Sequence, residues 1–267
     1  MLGTLLRQVV PESAKLRLRA RRGLTAGEME LPLVPLLCDP DGTSVDVGAN
    51  VGVYTWHIAR ASARTVAVEP NPALAAKLRR GTGRNVEVLA CALSDQEGTA
   101  RLAIPLTAAG ELASRATIEE AVNREFERRT LEVPLRTLDG LGLRDLGFLK
   151  VHAEGHEYPI LEGGRQCIAR DRPTILVGSE DRHVPGARQR IETMLAGLGY
   201  RGFFLHEGRL HPLGRFRPEI LQRPENAKRV GASYSDAYIH NFLFIHPDRP
   251  RVLFALAARL GPPADQE

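Results

Sequence analysis

Cysteine is scarce in this chain of 267 residues: Cys38, Cys91 and Cys167 are an odd number with no CxxC spacing. That argues against a disulfide framework and against a cysteine-built zinc site, and reads as small buried hydrophobes in a reducing compartment. Lysine is nearly absent, with only Lys15, Lys77, Lys150 and Lys228, so the formal charge of +4 rests on arginine and implies no nucleic-acid groove. Aromatic residues are 5% of the chain, too few for base-stacking platforms interleaved with a basic stripe. No apolar run approaches the roughly 18 residues of a membrane span. The N-terminus is no signal peptide, because its arginines follow the apolar stretch and no small-residue cleavage site is evident. A cytoplasmic protein without nucleic-acid partners is expected.

What remains is ordinary globular composition, 43% hydrophobic and 25% charged, in a length that suits one large domain or two small ones. Such a chain buries roughly three quarters of its unfolded surface and needs no metal or disulfide staple. The one charge asymmetry is N-terminal. Arg7, Lys15, Arg17, Arg19, Arg21 and Arg22 stand among Leu2, Leu5, Leu6, Val9, Val10, Leu16 and Leu18, against Glu12. This is read as a helix packed on the domain, with attraction to an anionic membrane surface as the alternative. The chain is therefore divided into a basic helical appendage (1–42), a main domain (43–247) and a C-terminal helix and tail (248–267), the stretch 261–267 frayed.

From residue 43 onward, short β-branched runs alternate with helical patterns. Thr43–Val47 reads as a strand, Tyr54–Ser62 as a helix, Arg64–Val68 as a strand, Pro72–Arg80 as a helix and Val86–Leu93 as a strand. That order is the signature of an α/β fold with a parallel sheet and right-handed crossovers. The middle is less regular. Gly98–Ile104 suggests an extra strand, Glu119–Arg129 a solvated helix or mobile loop, and Leu131–Thr137 an extended segment. Further strands are predicted at Gly147–Ala153, Thr174–Gly178, Gly202–His206 and Asn241–Ile245, and helices at Glu157–Ala169, Gln189–Leu198 and Arg251–Leu260.

The chemistry gathers at strand ends. Asp46-Val47-Gly48-Ala49-Asn50-Val51-Gly52 joins the first strand to its helix, where a doubly wound sheet binds ligands. Gly48 and Gly52 allow a tight turn and close approach of the backbone. A dinucleotide fingerprint would carry glycine where Asn50 stands. Asp46 repels a pyrophosphate and attracts a sulfonium or ammonium, so the loop favours a cationic nucleoside over a nicotinamide dinucleotide. Glu69 ends the second strand, where an acid about 20 positions further on accepts hydrogen bonds from ribose hydroxyls.

The blocks SVDVGANVGVYT, VAVEPNP, ACALSDQEGTARL, VPLRTLDGL, FLKVHAEGHEYPILEGG, RPTILVGSE and NFLFIHP, in this order over about residues 43–247, resemble the FkbM-type methyltransferase family. The resemblance implies the class I methyltransferase fold, a Rossmann-like, doubly wound, seven-stranded and mostly parallel sheet. It implies S-adenosylmethionine as methyl donor and O-methylation of a hydroxyl on a sugar, glycolipid or polyketide-type metabolite. It places Asp46, Gly48, Asn50 and Gly52, with Ala49, Tyr54 and Thr55 of the same block, at the methionine end of the cofactor. Glu69 would hold the ribose, and Asn71, Ala92 and Leu93 would lie near the adenosine.

One block departs from the family. Its usual K-x-D-x-E-G-x-E becomes Lys150-Val151-His152-Ala153-Glu154-Gly155-His156-Glu157, with His152 at the aspartate position. A histidine has the reference pKa to take a hydroxyl proton near neutrality, so His152 is either a replacement general base or the mark of a decayed, non-catalytic cofactor-binding protein. Glu154 is either an acceptor-binding acid or a buried acid serving backbone N–H groups, and Glu180 ends the next strand facing the cleft. His152, Glu154, His156 and Glu180 could in principle ligate a metal, but no tight helical spacing supports it and none is assigned. Lys150 reads as a structural ion-pair partner. His183, His206, His211, His240 and His246 are read as incidental. Acceptor specificity is assigned to the loops 110–129 and 206–238, where Arg215, Arg217 and Arg223 are either anion binders or solvated surface.

Overall fold

The computed structural model describes residues 10–108, 110–119, 122–227 and 238–264. The chain enters through helices α1 (Glu12–Ala26) and α2 (Val34–Leu37). It then alternates β1 (Thr43–Val47), α3 (Val53–Ile58), β2 (Arg64–Val68), α4 (Pro72–Gly81) and β3 (Val86–Leu89). Four strands follow without a long helix between them: β4 (Ala92–Ser94), β5 (Gly98–Thr107), β6 (Gly110–Glu111) and β7 (Arg128–Thr137). Alternation resumes with β8 (Leu146–Val151), α5 (Glu157–Glu162), α6 (Arg165–Asp171), β9 (Thr174–Gly178) and α7 (Ala187–Gly197). β10 (Arg201–His206), β11 (Arg209–Pro212), α8 (Pro218–Leu221), β12 (Asn241–Ile245) and α9 (Pro250–Leu260) complete it.

The main sheet has the order β11-β10-β12-β9-β8-β1-β2-β3. Its five strands from β9 to β3 are mutually parallel, and the β9–β12, β12–β10 and β10–β11 pairings are antiparallel. Every residue of β1, β8, β9 and β12 is buried, as expected of strands covered on both faces. One face carries Val45, Val47, Leu149, Val151 and Ile175 against Ile160, Leu161, Ile168, Ile191 and Leu195 of α5, α6 and α7. The other carries Phe148, Leu176, Leu243 and Ile245 against Val34, Leu37, Ile58, Val252 and Leu256 of α2, α3 and α9. Each fully buried side chain of this size contributes roughly 1.5–3 kcal/mol of transfer free energy. The segments flanking residues 43–247 thus share the core of the central sheet.

A second sheet, β4-β7-β5-β6, is built on the long antiparallel pairing of β5 with β7, from Gly98↔Leu135 to Pro105↔Arg128. Its buried face holds Ala92, Leu102, Ile104, Val133 and Leu135.

Three local readings of the sequence differ from this, and a fourth, which left 119–129 open between helix and loop, is resolved at its described positions. The main sheet has eight strands rather than seven, because β10 turns back through Glu207 and Gly208, both at positive φ (50° and 71°), into the tight hairpin that adds β11. The run 86–93 divides between two sheets at Ala90-Cys91. The helix expected over 157–169 is interrupted at Gly163-Gly164. A Cβ at Gly163 would lie 1.9 Å from the carbonyl oxygen of Ser94, so only glycine lets the helix pack against β4. The charged stretch 119–129 forms turns at its described positions and enters β7 at Arg128; residues 120 and 121 lie outside the described residues. So do Arg7, Leu2, Leu5, Leu6 and Val9 of the N-terminal segment, residues 228–237 of the 206–238 loop, and the tail 265–267. No helix among the described residues is long and apolar enough to cross a membrane.

α1 buries Leu16 and Ala20 against α3 and α4. His57 of α3 reaches back, with Nε2 3.1 Å from the Ala20 carbonyl. Arg17, Arg19, Arg21 and Arg22 are exposed, beside Leu18 and Leu24.

Candidate active site

β1 sends the chain to β2 and β3 on one side, while β8 and β9 lie on the other. Ligands bind beyond the strand ends at such a reversal. The loop after β1 turns there through Gly48, Asn50 and Gly52, all at positive φ (72°, 51° and 85°). A Cβ on Gly48 would stand 1.9 Å from the carbonyl oxygen of His152, so the loop can lie against the end of β8 only with glycine at that position. Asn50 is among the few non-glycine residues that tolerate the left-handed region.

Beneath the loop, Asp46 is fully buried. Thr55 Oγ1 donates to its Oδ2 at 2.6 Å, and Lys150 Nζ lies 3.1 Å from Oδ1. Lys150 also donates to the carbonyl oxygens of Val47 (3.3 Å) and Gly48 (3.2 Å). Asp46 therefore stands behind the loop as its anchor rather than inside the cavity. Glu69 braces the loop from β2: Oε2 accepts from the Asn50 N–H (2.7 Å) and Oε1 from the Asn71 N–H (2.8 Å). Burial pushes its carboxyl up, and these two donors work against that. Asn71 in turn caps α4 by accepting from the Ala73 N–H at 3.0 Å, the usual task of an N-cap asparagine.

A cavity of about 1010 Å³ runs across these strand ends. Of the cofactor residues anticipated from the sequence, Gly48, Ala49, Asn50, Tyr54, Glu69, Ala92 and Leu93 line it; Asp46, Gly52, Thr55 and Asn71 do not. Those four shape the wall from behind. The second sheet closes the opposite side through Leu102 and the segment Glu111–Ile118. Arg215, Arg217 and Arg223 instead donate to the backbone carbonyls of Ala264, Gly214 and Phe216, and Glu219.

The far end of the cavity is polar. His152, Glu154 and Glu180 all line it, with Arg182 and Tyr238. Burial drives the imidazole of His152 down to about 4, so it is uncharged at neutral pH. Burial, then the nearby Glu180 and Glu157 carboxylates, push Glu154 up to about 8. Glu154 occupies the left-handed region, φ 47°, a conformation non-glycine residues hold only where the surroundings impose it. Here they do: Glu157, itself buried, accepts from the N–H groups of Ala153 (2.8 Å) and Gly155 (3.3 Å) and pins the turn. Against the pull of burial, hydrogen bonds from Arg182 (Nε to Oε2 2.5 Å) and Tyr238 hold Glu180 down to about 2.

The four-residue cluster weighed from sequence is not assembled. His156 turns to Glu119, 2.6 Å away, and to Ser94 at 2.9 Å, tying the turn to the second sheet. Glu180 is committed to Arg182 and Tyr238. Two histidines read as incidental are at the site instead. His183 lies 3.7 Å from Glu154, and the His240 ring centroid is 5.7 Å from that of His152. Glu28, from the segment after α1, lines the cavity as well. Its Oε1 is 3.8 Å from His240 Nε2. Burial alone would lower His240 and raise Glu28; their mutual attraction reverses both shifts. Burial and the neighbouring Glu28 carboxylate raise Glu30 to about 7. No local sequence pattern announces Glu28 or His240, because their partners are far away in the chain.

The family model described as the methyltransferase FkbM domain matches residues 46–202, which span the glycine loop, the second sheet and His152, Glu154 and Glu180. The chain belongs to the FkbM methyltransferase family. No curated protein matches it. Among solved structures, an FkbM methyltransferase from Methylobacillus flagellatus KT is similar at 14% identity and TM-score 0.48, covering 78% of this chain. This chain spans 44% of the length of that one. A putative O-methyltransferase from Klebsiella pneumoniae has 16% identity and TM-score 0.45, covering 91% of this chain and 95% of its own. The precorrin-6y C5,15-methyltransferase from Geobacter metallireducens GS-15 has 14% identity and TM-score 0.41, covering 81% and 89%. The FkbM domain of this chain thus lies within a longer α/β unit, in which α1, the Glu28 segment, β12 and α9 are also packed.

Proposed function

We propose that this FkbM-family chain transfers the methyl group of S-adenosylmethionine to a hydroxyl of a sugar, glycolipid or polyketide-type metabolite. The observation that carries the reading is the single cavity joining the glycine loop and Glu69 at one end to His152, Glu154 and Glu180 at the other. At about 1010 Å³ it matches the upper end of ligand sites, roughly 300–1,000 Å³, and has room for a nucleoside beside a second molecule. The residues fit the cofactor. The Glu69 carboxylate accepts from ribose hydroxyls, Ala92, Leu93, Pro70 and Leu74 offer apolar surface to the base, and Gly48 and Ala49 let the amino-acid end lie against backbone.

When bound, S-adenosylmethionine supplies an electrophilic methyl group on a sulfonium. The protein's task is to hold an acceptor oxygen in line with it and keep the two ends fixed, the proximity and orientation contribution. Uncharged His152 accepts a hydrogen bond from the acceptor hydroxyl and offers a lone pair for its proton. Glu154, protonated at neutral pH, donates a hydrogen bond to a second acceptor oxygen. The Glu180–Arg182–Tyr238 group forms a rigid polar wall that suits a hydroxyl-rich acceptor.

Transfer of isotope-labelled methyl from S-adenosylmethionine to a panel of sugar, glycolipid and polyketide alcohols, with matched amines and carboxylic acids, tests this. Label is expected in alcohols alone. Label confined to amines or carboxylates would overturn the O-methyl assignment while leaving the cofactor in place.

A further inference from the structure

Three residues from distant parts of the chain meet at the cavity wall: Glu28 after α1, His152 at the end of β8, and His240 leading into β12. One ligand-type atom from each lies within 4.8 Å of the others. We propose that Glu28, His152 and His240 bind one divalent transition-metal cation of the zinc type at the acceptor end of the cavity. The inference rests on the methyl-transfer reading for its purpose, which is to hold the acceptor oxygen.

The donor set selects the class of ion. Two imidazole nitrogens and one carboxylate oxygen suit zinc and its first-row neighbours, whereas magnesium and calcium take oxygen ligands. Three protein ligands leave coordination positions open, the arrangement of catalytic rather than closed structural sites. Those positions face the cavity, because Glu28 and His152 line it while His240 is buried behind them.

Two of the three ligands already stand near the separation an ion needs. Glu28 Oε1 and His240 Nε2 are 3.8 Å apart, too far for a hydrogen bond. Bonds of about 2.0–2.1 Å in a tetrahedral site separate ligand atoms by about 3.4 Å, so this pair needs a shift of about 0.4 Å, while the set as a whole, spread over up to 4.8 Å, closes on an ion through a side-chain rotation of about 1.4 Å. The carboxylate is already aimed. Tyr54 O–H donates to Glu28 Oε2 at 2.7 Å, and the Asn241 amide donates to the same oxygen at 2.9 Å, leaving Oε1 directed at His240. Ligand carboxylates are oriented by such outer partners. The Asn241 amide also reaches Glu30 Oε2 at 3.0 Å, which brings a second buried carboxylate beside the site and favours a cation there. The backbone of His240 is fixed by the Ser179 N–H, which donates to its carbonyl at 2.7 Å. With a cation bound, the acceptor oxygen meets the metal rather than the His152 lone pair, so the two uses of His152 are alternatives.

The test is a titration of chelator-stripped, full-length protein with Zn²⁺, followed by calorimetry, and with Co²⁺, followed by visible absorption. Wild type is run beside Glu28→Gln, His240→Gln and Asn241→Ala, and each protein is checked for S-adenosylmethionine binding. One ion per chain is expected in wild type, with a Co²⁺ spectrum of low coordination number. Glu28→Gln and His240→Gln are expected to weaken Zn²⁺ by at least about 100-fold, and Asn241→Ala by roughly 10–100-fold, as for loss of an outer partner. Cofactor binding in the stripped protein is expected to persist, which separates this inference from the functional reading. Absence of saturable one-to-one binding, or binding untouched by both ligand variants, would overturn the metal site and return His152 to the role of proton acceptor. So would a Glu28→Gln variant that loses cofactor affinity while no protein binds Zn²⁺, which would assign Glu28 to the cofactor's ammonium group.

Discussion

In the proposed methyl transfer, Glu69 and His152 divide the work of the cavity. Glu69 faces the cofactor end and also holds the loop through Asn50 and Asn71. Replacing it with alanine is expected to weaken S-adenosylmethionine binding roughly 10–100-fold, the ~1.5–3 kcal/mol of a hydrogen bond to a charged group, read by calorimetry. His152 faces the acceptor end. His152→Ala is expected to lower the methyl-transfer rate by about 10²–10⁴-fold while leaving cofactor affinity within about a factor of two, a split between kcat and binding. A variant with unchanged rate would remove His152 from the chemistry under either of its two roles. The sequence made these two residues legible because each ends a run of buried strand residues next to a polar turn. It did not reveal that Asp46 lies behind the wall, since a buried ion pair with Lys150 and an acid inside a pocket leave the same local pattern. Glu28 and His240 were beyond reach for another reason: their meeting depends on how α1 and β12 dock, which no short window of sequence records.

At the scale of elements, β1, β2, β8, β9 and β12 were legible because each is a short run rich in β-branched or large apolar residues that stops at a glycine or polar turn. β11 and the β3–β4 division were not. A four-residue strand has no periodicity to detect, and the chain changes sheets at Ala90-Cys91 without a glycine or proline to mark the break. The attachment of α1 is the element-level feature with a measurable pH dependence. Burial lowers the imidazole of His57 below its ordinary 6.5, against the pull of the Ala20 carbonyl. The folded state therefore favours the uncharged ring. Stability from this contact is fully present above pH 6.5 and is lost as pH falls from there through the lowered folded-state value. Glu154 and Glu30, raised to about 8 and about 7, add stability on acidification over the same range, so the contact is read as a difference: the denaturant midpoint of wild type relative to His57→Gln, whose side chain does not titrate, is expected to fall as pH is lowered from 8 to 5. An identical slope in the variant would place the titrating group elsewhere.

For the whole molecule, the parallel half of the main sheet supplies a fixed floor, the second sheet a facing wall, and the N- and C-terminal segments a seal on the opposite face of the core. The cavity is confined to the strand ends where the order of strands reverses. Residues outside the family match of 46–202 matter to it directly, since Glu28 before it and Tyr238 after it both line the cavity. The central claim is that this cavity takes S-adenosylmethionine rather than a nicotinamide dinucleotide. Thermal unfolding of the purified protein with each ligand tests it most directly. At about 100 times its Kd, S-adenosylmethionine is expected to add roughly 2.7 kcal/mol and raise Tm by about 5–10 °C, with NADH leaving Tm unchanged. A rise with NADH and none with S-adenosylmethionine would contradict the account.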